Sequence, residues 1–341
     1  MSDATSANPQ TLLADARRSW QEGRYRRALI AFAQAARYGD EASVVALLRA
    51  MLALGYWQQA AEVVALWSAR RPDYATVAAY QVLLTLDAEG LSAARAQLSG
   101  LAENPGFSQA VHWAIGQLDQ FERGVARAPL PGTERAGSWH PALDGISYLL
   151  DAGLSRWFSF PVRLLQWAAA SAPADGIAAE CGVFWGRSIR LLAAQRREVH
   201  GFDSFQGLPS DWKEGEAAGA YSTGGQLPLV PSNVLLHRGW FERTVPPFVA
   251  EQNRPLDLLH VDCDLYESTR TVLDGFQPLM RRGTLIVFDD YMGYAGWRDH
   301  EHRAWLEFCE RAGTQFRYVA AALLGREVVV EITQPPQLAA H

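Results

Sequence analysis

The stretch that decides the fold is Leu256-Asp-Leu-Leu-His-Val261 together with the residues after it, Asp262-Cys-Asp264-Leu-Tyr266. A mostly apolar run that ends in two carboxylates is typical of a buried strand that reaches the edge of a sheet. Side chains two residues apart on a strand point to the same face. Asp262 and Asp264 are therefore expected to face one side together.

A second acidic pair follows another apolar run, in Ile286-Val-Phe-Asp289-Asp290-Tyr291. If the two strands are neighbours in a parallel sheet, the four carboxylates meet at its carboxyl edge, where open α/β folds bind their ligands. Four carboxylates in one place repel each other. The two stretches together therefore predict a bound cation.

Composition excludes several classes of function. The chain has 341 residues, of which 49% are hydrophobic and 20% charged, and its net charge is −6. These values are typical of a globular protein that is long enough for two domains. The sequence has no dense block of lysine and arginine, so nucleic acid is not expected as a partner. No apolar run is long enough to span a membrane, and the N-terminus shows no signal peptide. The three cysteines are far apart in the sequence, which fits a cytoplasmic protein.

Residues 8–123 predict an all-α array of antiparallel helix pairs. Small residues and an alanine recur in Gly23-Arg-Tyr-Arg-Arg-Ala28, Gly55-Tyr-Trp-Gln-Gln-Ala60 and Gly90-Leu-Ser-Ala-Ala94, at intervals of roughly 33 residues. Interhelical breakers recur at Gly39-Asp40, Pro72-Asp73 and Pro105-Gly106. This pattern resembles the tetratricopeptide repeats. Such an array implies either a surface for a carrier, a protein partner or a second copy of the chain, or a scaffold that covers the second domain.

Residues 124–140 predict a linker, residues 141–334 a second domain, and residues 335–341 a tail. Glycine and proline without an apolar period mark the linker, and two helices are expected after it, near 141–151 and 161–170. Seven short apolar strands follow, and most of them alternate with helices, which predicts a Rossmann-like α/β sheet whose last two strands form an antiparallel hairpin. This predicted order resembles the class I methyltransferase topology. The strands are expected at 176–180, 198–202, 233–238, 256–261, 284–288, 316–321 and 326–332.

The first two of these strands end in residues that suit an adenosine-containing ligand. Glu180-Cys-Gly182-Val-Phe-Trp-Gly186-Arg-Ser188 places glycines at a strand-to-helix turn, where the backbone can approach a ligand closely. Asp203 ends the next strand, about 20 residues later, where ribose hydroxyls are bound. The sequence has no phosphate-binding loop of the Gly-x-x-x-x-Gly-Lys-Ser/Thr type. S-adenosylmethionine, which carries no phosphate, therefore fits best.

Five motifs, in order, resemble the macrocin O-methyltransferase family, which methylates sugar hydroxyls of natural products. They are Glu-Cys-Gly-Val-Phe-Trp-Gly-Arg-Ser (180–188), Gly-Phe-Asp-Ser-Phe-Gln-Gly-Leu-Pro (201–209), Arg-Gly-Trp-Phe-Glu-Arg-Thr-Val-Pro (238–246), His-Val-Asp-Cys-Asp-Leu-Tyr-Glu-Ser-Thr (260–269) and Val-Phe-Asp-Asp-Tyr (287–291). The resemblance implies Mg²⁺-dependent transfer of a methyl group from S-adenosylmethionine to an alcohol oxygen of a small-molecule or glycoside acceptor.

The resemblance also implies roles for individual residues. The cofactor-binding residues would be Glu180, Gly182, Gly186, Ser188, Asp203 and Ser204. The metal ligands would be Asp262, Asp289 and Asp290, and the proton acceptor would be Asp264. His300 or His302 are alternatives for the base because histidine titrates near neutral pH.

The methyl acceptor stays open at the level of the sequence. Residues 217–231 and 292–303 differ from the family pattern, and both segments lie where the acceptor is expected. A phenolic, peptide or protein acceptor presented by the repeats is one alternative, and a non-enzymatic adaptor with a vestigial methyltransferase domain is another. Self-association through the repeats is also expected.

Overall fold

The computed structural model describes residues 8–101 and 106–337. Pro105 of a predicted interhelical turn, residues 338–341 of the predicted tail and residues 1–7 lie outside this part of the chain. The contacts divide the chain into two compact units between Arg127 and Ala128, within the predicted linker. The same stretch also holds a short helix, Thr133–Ala136, and a 3₁₀ turn, Gly137–Trp139.

The first unit is helical throughout its described residues. The predicted repeat positions Ala28, Ala60 and Ala94 are fully buried, because an alanine lets two helices approach closely. Asn8 and Asp40 cap their helices through side-chain bonds to the backbone N–H groups of Thr11 and Ser43, each 2.9 Å long. The helices are α1 (Pro9–Gln21), α2 (Tyr25–Ala36), α3 (Glu41–Ala53), α4 (Trp57–Arg70), α5 (Ala75–Glu89), α6 (Leu91–Leu98) and α7 (Phe107–Glu122).

The second unit is a mixed sheet with helices on both faces. Its helices are α8 (Thr133–Ala136), α9 (His140–Asp151), α10 (Pro161–Ser171), α11 (Arg187–Ala193), α12 (Phe241–Ala250), α13 (Tyr266–Phe276) and α14 (Glu301–Ala312). Its strands are β1 (Trp157–Phe158), β2 (Ile177–Cys181), β3 (Val199–Asp203), β4 (Val234–Arg238), β5 (Leu256–Val261), β6 (Met280–Phe288), β7 (Gln315–Ala322) and β8 (Val328–Gln334).

The strands lie in the order β1-β7-β8-β6-β5-β2-β3-β4. The strand β8 pairs antiparallel with both β7 and β6, and the other pairs are parallel. The predicted α/β fold with a terminal hairpin is confirmed. The predicted count of seven strands is wrong because β1 adds an eighth, with Trp157 opposite Ala321. A strand of two residues is too short to show a periodic pattern.

Both faces of the central strands are covered. Every residue of β2 and β5 is buried, which explains why these strands are mostly apolar rather than alternating. Leu259 packs in one apolar cluster with Phe202 and Phe276. Its neighbour Leu258 packs in the other, with Ile189. Apolar packing on both faces therefore supports the central strands up to their carboxyl ends.

Among residues 8–101 and 106–337, the helices are too short or too polar to cross a membrane.

Candidate active site

The register of the parallel strands places three strand ends side by side. Cys181 of β2 lies opposite Val261 of β5, which lies opposite Phe288 of β6. Backbone bonds continue past these pairs, from Asp262 N–H to the Cys181 carbonyl and from Asp289 N–H to the Val261 carbonyl, each 2.9 Å long. The glycine turn and both acidic pairs therefore meet at one edge, as the sequence predicts.

The turn after β2 is held by Asp203, at the end of β3. One oxygen of this carboxylate, Oδ2, accepts hydrogen bonds from the N–H groups of Val183 and Phe184, each 2.8 Å long, and Oδ1 accepts one from Phe205 N–H at 2.6 Å. Phe184 has a positive φ of 49°, which is uncommon for a bulky residue. Asp203 stabilises this conformation by binding two consecutive amides.

Gly182 is required by the closeness of β5. Its φ is +96°, and a Cβ atom there would lie 1.6 Å from the carbonyl oxygen of Asp262. Gly186 also has a positive φ, 73°, and precedes α11. The two glycines therefore allow a tight turn that ends beside the acidic cluster.

Ser188 and Ser204 differ in their surroundings. The hydroxyl of Ser188 donates to Glu180 Oε1 at 3.2 Å. The hydroxyl of Ser204 is buried and accepts from Gln206 N–H at 3.1 Å, which closes a local turn. Both predicted cofactor residues thus lie next to the strand ends, and each has a protein partner.

A buried histidine connects Glu180, just before the glycine turn, to the second acidic pair. His260 Nδ1 lies 2.9 Å from Glu180 Oε2, and its Nε2 lies 3.4 Å from Asp289 Oδ1. Glu180 and His260 are 0% and 1% exposed. Burial lowers the pKa of His260, but its hydrogen bonds to both carboxylates outweigh this effect, and the pKa is well above its usual value. Burial raises the pKa of Glu180, and the bond to His260 opposes that shift.

Asp262 and Asp289 form a metal-competent group with His260. One ligand atom from each of the three residues lies within 4.8 Å of the others. Burial, and then the charge of Asp289, raises the pKa of Asp262 well above its usual value. The pKa of Asp289 is lowered despite burial, because His260 bonds to it and positive charges lie nearby.

Asp264 and Asp290 form a separate pair. Burial, followed by the nearby charge of Asp290, raises the pKa of Asp264 well above its usual value. Asp290 Oδ1 also accepts from Arg326 Nη1 at 2.7 Å, and Asp290 N–H donates to Glu301 Oε2 at 2.9 Å. The predicted ligand Asp290 thus lies with Asp264 and Arg326, outside the group that contains Asp262.

The expectation that Asp262 and Asp264 share one strand face is wrong. The strand β5 ends at Val261, and Asp264 has a positive φ of 61°. Leu265 N–H bonds to the carbonyl of Cys263 at 2.6 Å, so the chain turns before strand alternation can continue. Asp262 consequently faces Asp289, whereas Asp264 faces Asp290.

The two histidines considered as bases lie in aromatic surroundings. The ring centroid of His300 is 6.2 Å from that of Trp212 and 6.1 Å from that of Tyr294. Burial lowers the pKa of His300. His302 Nε2 lies 3.1 Å from the hydroxyl of Tyr148, and burial lowers its pKa to about 4. His302 therefore belongs to the packed interior, whereas His300 lies beside Trp212 and Tyr294.

The two connections that contain most of the segments expected to surround the acceptor contact each other. Trp212, in the β3–β4 connection, packs edge-on against Tyr294, in the β6–α14 connection, with ring centroids 5.6 Å apart. Lys213 Nζ lies 3.2 Å from the Trp212 ring centroid and 3.3 Å from Glu216 Oε1. The guanidinium group of Arg326 lies 5.3 Å from the centroid of the Tyr294 ring and also bonds to Asp290. Arg326 therefore connects this aromatic contact to the acidic pair.

Sequence reasoning missed His260, Arg326, Glu301 and Lys213. His260 lies in β5, two residues before Asp262, so the alternation used for Asp262 and Asp264 could have found it. The other three are distant in sequence from the residues they contact, and no local pattern marks them.

Known proteins resemble part of this chain. Residues 179–291 match a protein family described as a methyltransferase domain. The chain is 30% identical over 155 residues to the 8-demethyl-8-(2,3-dimethoxy-alpha-L-rhamnosyl)-tetracenomycin-C 4'-O-methyltransferase of Streptomyces olivaceus. The matched region covers 37% of this chain and 58% of that relative, so the chain spans less than two thirds of the relative's length.

Solved structures similar to this chain include the calicheamicin methyltransferase CalS11 and the O-methyltransferase NovP. The first is 20% identical with a TM-score of 0.39, covering 67% of this chain and 94% of the other. The second is 22% identical with a TM-score of 0.39, covering 51% of this chain and 79% of the other.

Proposed function

We propose, on the premise that residues 179–291 belong to the methyltransferase family that they match, that the protein is an S-adenosylmethionine-dependent and Mg²⁺-dependent O-methyltransferase. The methyltransferase resemblance drawn from the five sequence motifs is confirmed by that match. The proposed acceptor is a hydroxyl group of a sugar or natural-product glycoside. The observation that carries the proposal is the meeting of the glycine turn, Asp203 and two acidic pairs at one sheet edge.

The residues present fit S-adenosylmethionine. Asp203 Oδ1 accepts one backbone N–H, and a carboxylate oxygen can accept two hydrogen bonds, so a ribose hydroxyl has a place to bind. The turn at 182–186 brings the backbone close to the same space. Glu180, Gly182, Gly186, Ser188 and Ser204 would complete the cofactor site.

The residues present also fit Mg²⁺. Asp262 and Asp289 lie close enough to share an ion. Burial is the main cause of the raised pKa of Asp262, and the negative charge of Asp289 is the second. A divalent cation would remove the repulsion between these carboxylates, and carboxylate oxygens are the ligands that Mg²⁺ prefers. Asp290 would join them as the third ligand if its bond to Arg326 opens.

The bound groups supply an electrophilic methyl group and a Lewis acid that lowers the cost of deprotonating an alcohol. The chain's own residues supply alignment and a proton acceptor. Asp264 would take the hydroxyl proton as the oxygen–carbon bond forms and the carbon–sulfur bond breaks. The products are a methyl ether and S-adenosylhomocysteine. His300 is the alternative base.

The acceptor would bind between the two segments that meet at Trp212 and Tyr294. The hydroxyl of Tyr294 and Oε1 of Glu301 are buried, and within the described residues neither has a hydrogen-bond partner. Acceptor hydroxyls could satisfy such groups. We further propose a cytoplasmic enzyme whose helical unit binds a carrier or protein partner or a second copy of the chain.

The test is transfer of a labelled methyl group from S-adenosylmethionine to a panel of L-rhamnosides, phenols and peptides. We expect labelled rhamnosides, loss of transfer in chelator and recovery with Mg²⁺. Transfer only to phenols or peptides would replace the acceptor class, and transfer that chelator leaves unchanged would remove the metal. Absence of S-adenosylmethionine binding in calorimetry would leave the adaptor alternative.

A further inference from the structure

His260 lies between two sites that the proposed reaction must bring together. Glu180, on one side, lies one residue before the end of β2 and also accepts a bond from Ser188, at the start of α11. Asp289, on the other side, follows β6 and belongs to the group that can hold a metal ion. The imidazole is the direct connection between the cofactor turn and this carboxylate.

The two hydrogen bonds of the His260 ring restrict its orientation. A carboxylate only accepts hydrogen bonds, so each ring nitrogen that bonds to one must carry the hydrogen. Glu180 is fully buried and His260 is 1% exposed, and an unpaired buried charge costs far more than an exposed one. A shift of either carboxylate therefore moves the imidazole, and the imidazole moves the other carboxylate.

We propose that His260 is a positioning residue that couples the cofactor site to the metal site by holding Glu180 and Asp289 at once. This inference rests on the proposed function. Binding of the cofactor fixes Glu180 and Ser188, which fixes His260 and sets the orientation in which Asp289 meets the metal. Because binding energies are linked, metal binding must tighten cofactor binding by the same factor.

A direct metal–nitrogen bond is the competing role for His260, since its Nε2 lies in the group with Asp262 and Asp289. In that role Nε2 would have to give up its hydrogen to offer a lone pair, and the charge-assisted bond to Asp289 would be lost. Mg²⁺ also prefers oxygen over imidazole nitrogen. In the positioning role, His260 keeps both hydrogen bonds, and the metal is bound by carboxylate oxygens.

The test measures S-adenosylhomocysteine binding by calorimetry with and without Mg²⁺, and Mg²⁺ binding with and without S-adenosylhomocysteine. In the full-length protein we expect each to tighten the other, by roughly 5- to 150-fold. In His260→Gln we expect both ligands still to bind, with the coupling factor near one. The matched control is His302→Gln, which removes another buried histidine of the same unit and should keep the coupling.

Two further measurements distinguish the positioning role from misfolding of the variant and from direct metal binding by His260. Glu180→Gln keeps the carbonyl oxygen that bonds His260 but removes its charge, and it should reduce the coupling while the protein stays folded by circular dichroism. Electron spin echo spectroscopy of the Mn²⁺-loaded protein should show no nitrogen bound directly to the metal.

The outcomes separate the two proposals. Coupling that persists in His260→Gln, or a bound nitrogen that disappears in this variant, overturns the positioning role. So does a full-length protein that binds both ligands independently. If the full-length protein binds no S-adenosylhomocysteine at all, the proposed function fails as well.

Discussion

Asp203 combines a structural role with the proposed binding role in one carboxylate. Three backbone N–H groups bond to it, so it both shapes the turn and faces the place where a ribose would bind. A residue of this kind cannot be replaced without affecting both. The effect of a substitution should therefore depend on how much of the carboxylate it leaves.

We predict that Asp203→Ala weakens S-adenosylhomocysteine binding and that Asp203→Asn weakens it less. Hydrogen bonds to charged groups contribute about 1.5–3 kcal/mol, so the alanine variant should lose roughly 10- to 150-fold in affinity. Asparagine keeps one acceptor oxygen. Calorimetry measures both, and Asp211→Asn, whose Oδ1 accepts from Ala218 N–H at 2.8 Å outside the site, is the control. Equal affinities in all four proteins would remove Asp203 from the cofactor site.

His302 should make the protein less stable in acid. Its pKa is lowered to about 4 by burial and then by Arg298, whereas an unfolded histidine has a pKa of about 6.5. Between these two values the unfolded chain binds the proton and the folded chain does not. Stability contributed by the neutral ring is therefore complete above pH of about 6.5 and is lost as the pH falls toward 4.

We predict that His302→Gln flattens the decrease of the melting temperature between pH 7 and pH 5. One such group changes the free energy of unfolding by at most about 1.4 kcal/mol per pH unit. Tyr318→Phe is the control, because it removes a hydroxyl that contacts Tyr148 and Tyr291 without removing an imidazole. It should lower the melting temperature by a similar amount at every pH. An unchanged acid slope in His302→Gln would contradict the prediction.

At the scale of elements, the closeness of β2 and β5 depends on Gly182. A Cβ atom at this position would collide with the backbone of Asp262, the residue that follows β5. Because Asp262 N–H bonds to the Cys181 carbonyl, this backbone cannot move away without breaking the pairing of the two strand ends. Gly153 offers a matched comparison, since its φ is +83° and a Cβ atom there would meet nothing within 4 Å.

We predict that Gly153→Ala costs about 1–2 kcal/mol, the cost of a left-handed conformation alone. Gly182→Ala should cost this amount and at least about 3 kcal/mol more, at the upper end of overpacking. Urea unfolding monitored by circular dichroism measures both. Equal losses of stability would show that the contact between the two strand ends adjusts freely.

The sequence predicted elements with strong patterns better than elements set by distant contacts. The strand β5 and residues 284–288 of β6 were found because they are buried on both faces and read as mostly apolar runs. The strand β1 escaped because two residues, Trp157 and Phe158, carry no period. The turn at Asp264 escaped because aspartate is not a strong signal for a positive φ.

In the candidate site, too, local sequence patterns predicted some features, and contacts between distant residues determined others. The carboxylates were expected together because parallel strand ends meet at one edge. Their grouping was different because the chain turns at Asp264 and because Asp290 bonds to Arg326, which is 36 residues away in the sequence. Such a contact follows from the packed structure and leaves no trace in the local sequence.

At the scale of the whole molecule, the candidate site and its support lie in one unit. Every residue proposed to hold the cofactor or the metal lies beyond residue 128, and so does every residue of the two apolar clusters that cover the sheet. A unit with its own core is expected to fold by itself. The helical unit would then affect the acceptor or the association of chains rather than the cofactor.

We predict that residues 128–341, produced alone, fold and bind S-adenosylhomocysteine within about threefold of the affinity of the full chain, a difference of roughly 0.7 kcal/mol. Calorimetry gives the affinity, and light scattering gives the mass of both proteins. If the helical unit mediates self-association, the full chain should have a larger multiple of its monomer mass than the fragment has. If it binds a carrier, both proteins should be monomers and only acceptor use should change. A fragment that folds but loses the cofactor would mean that the first unit contributes to the site, because the cores and the strand ends of the second would still be intact.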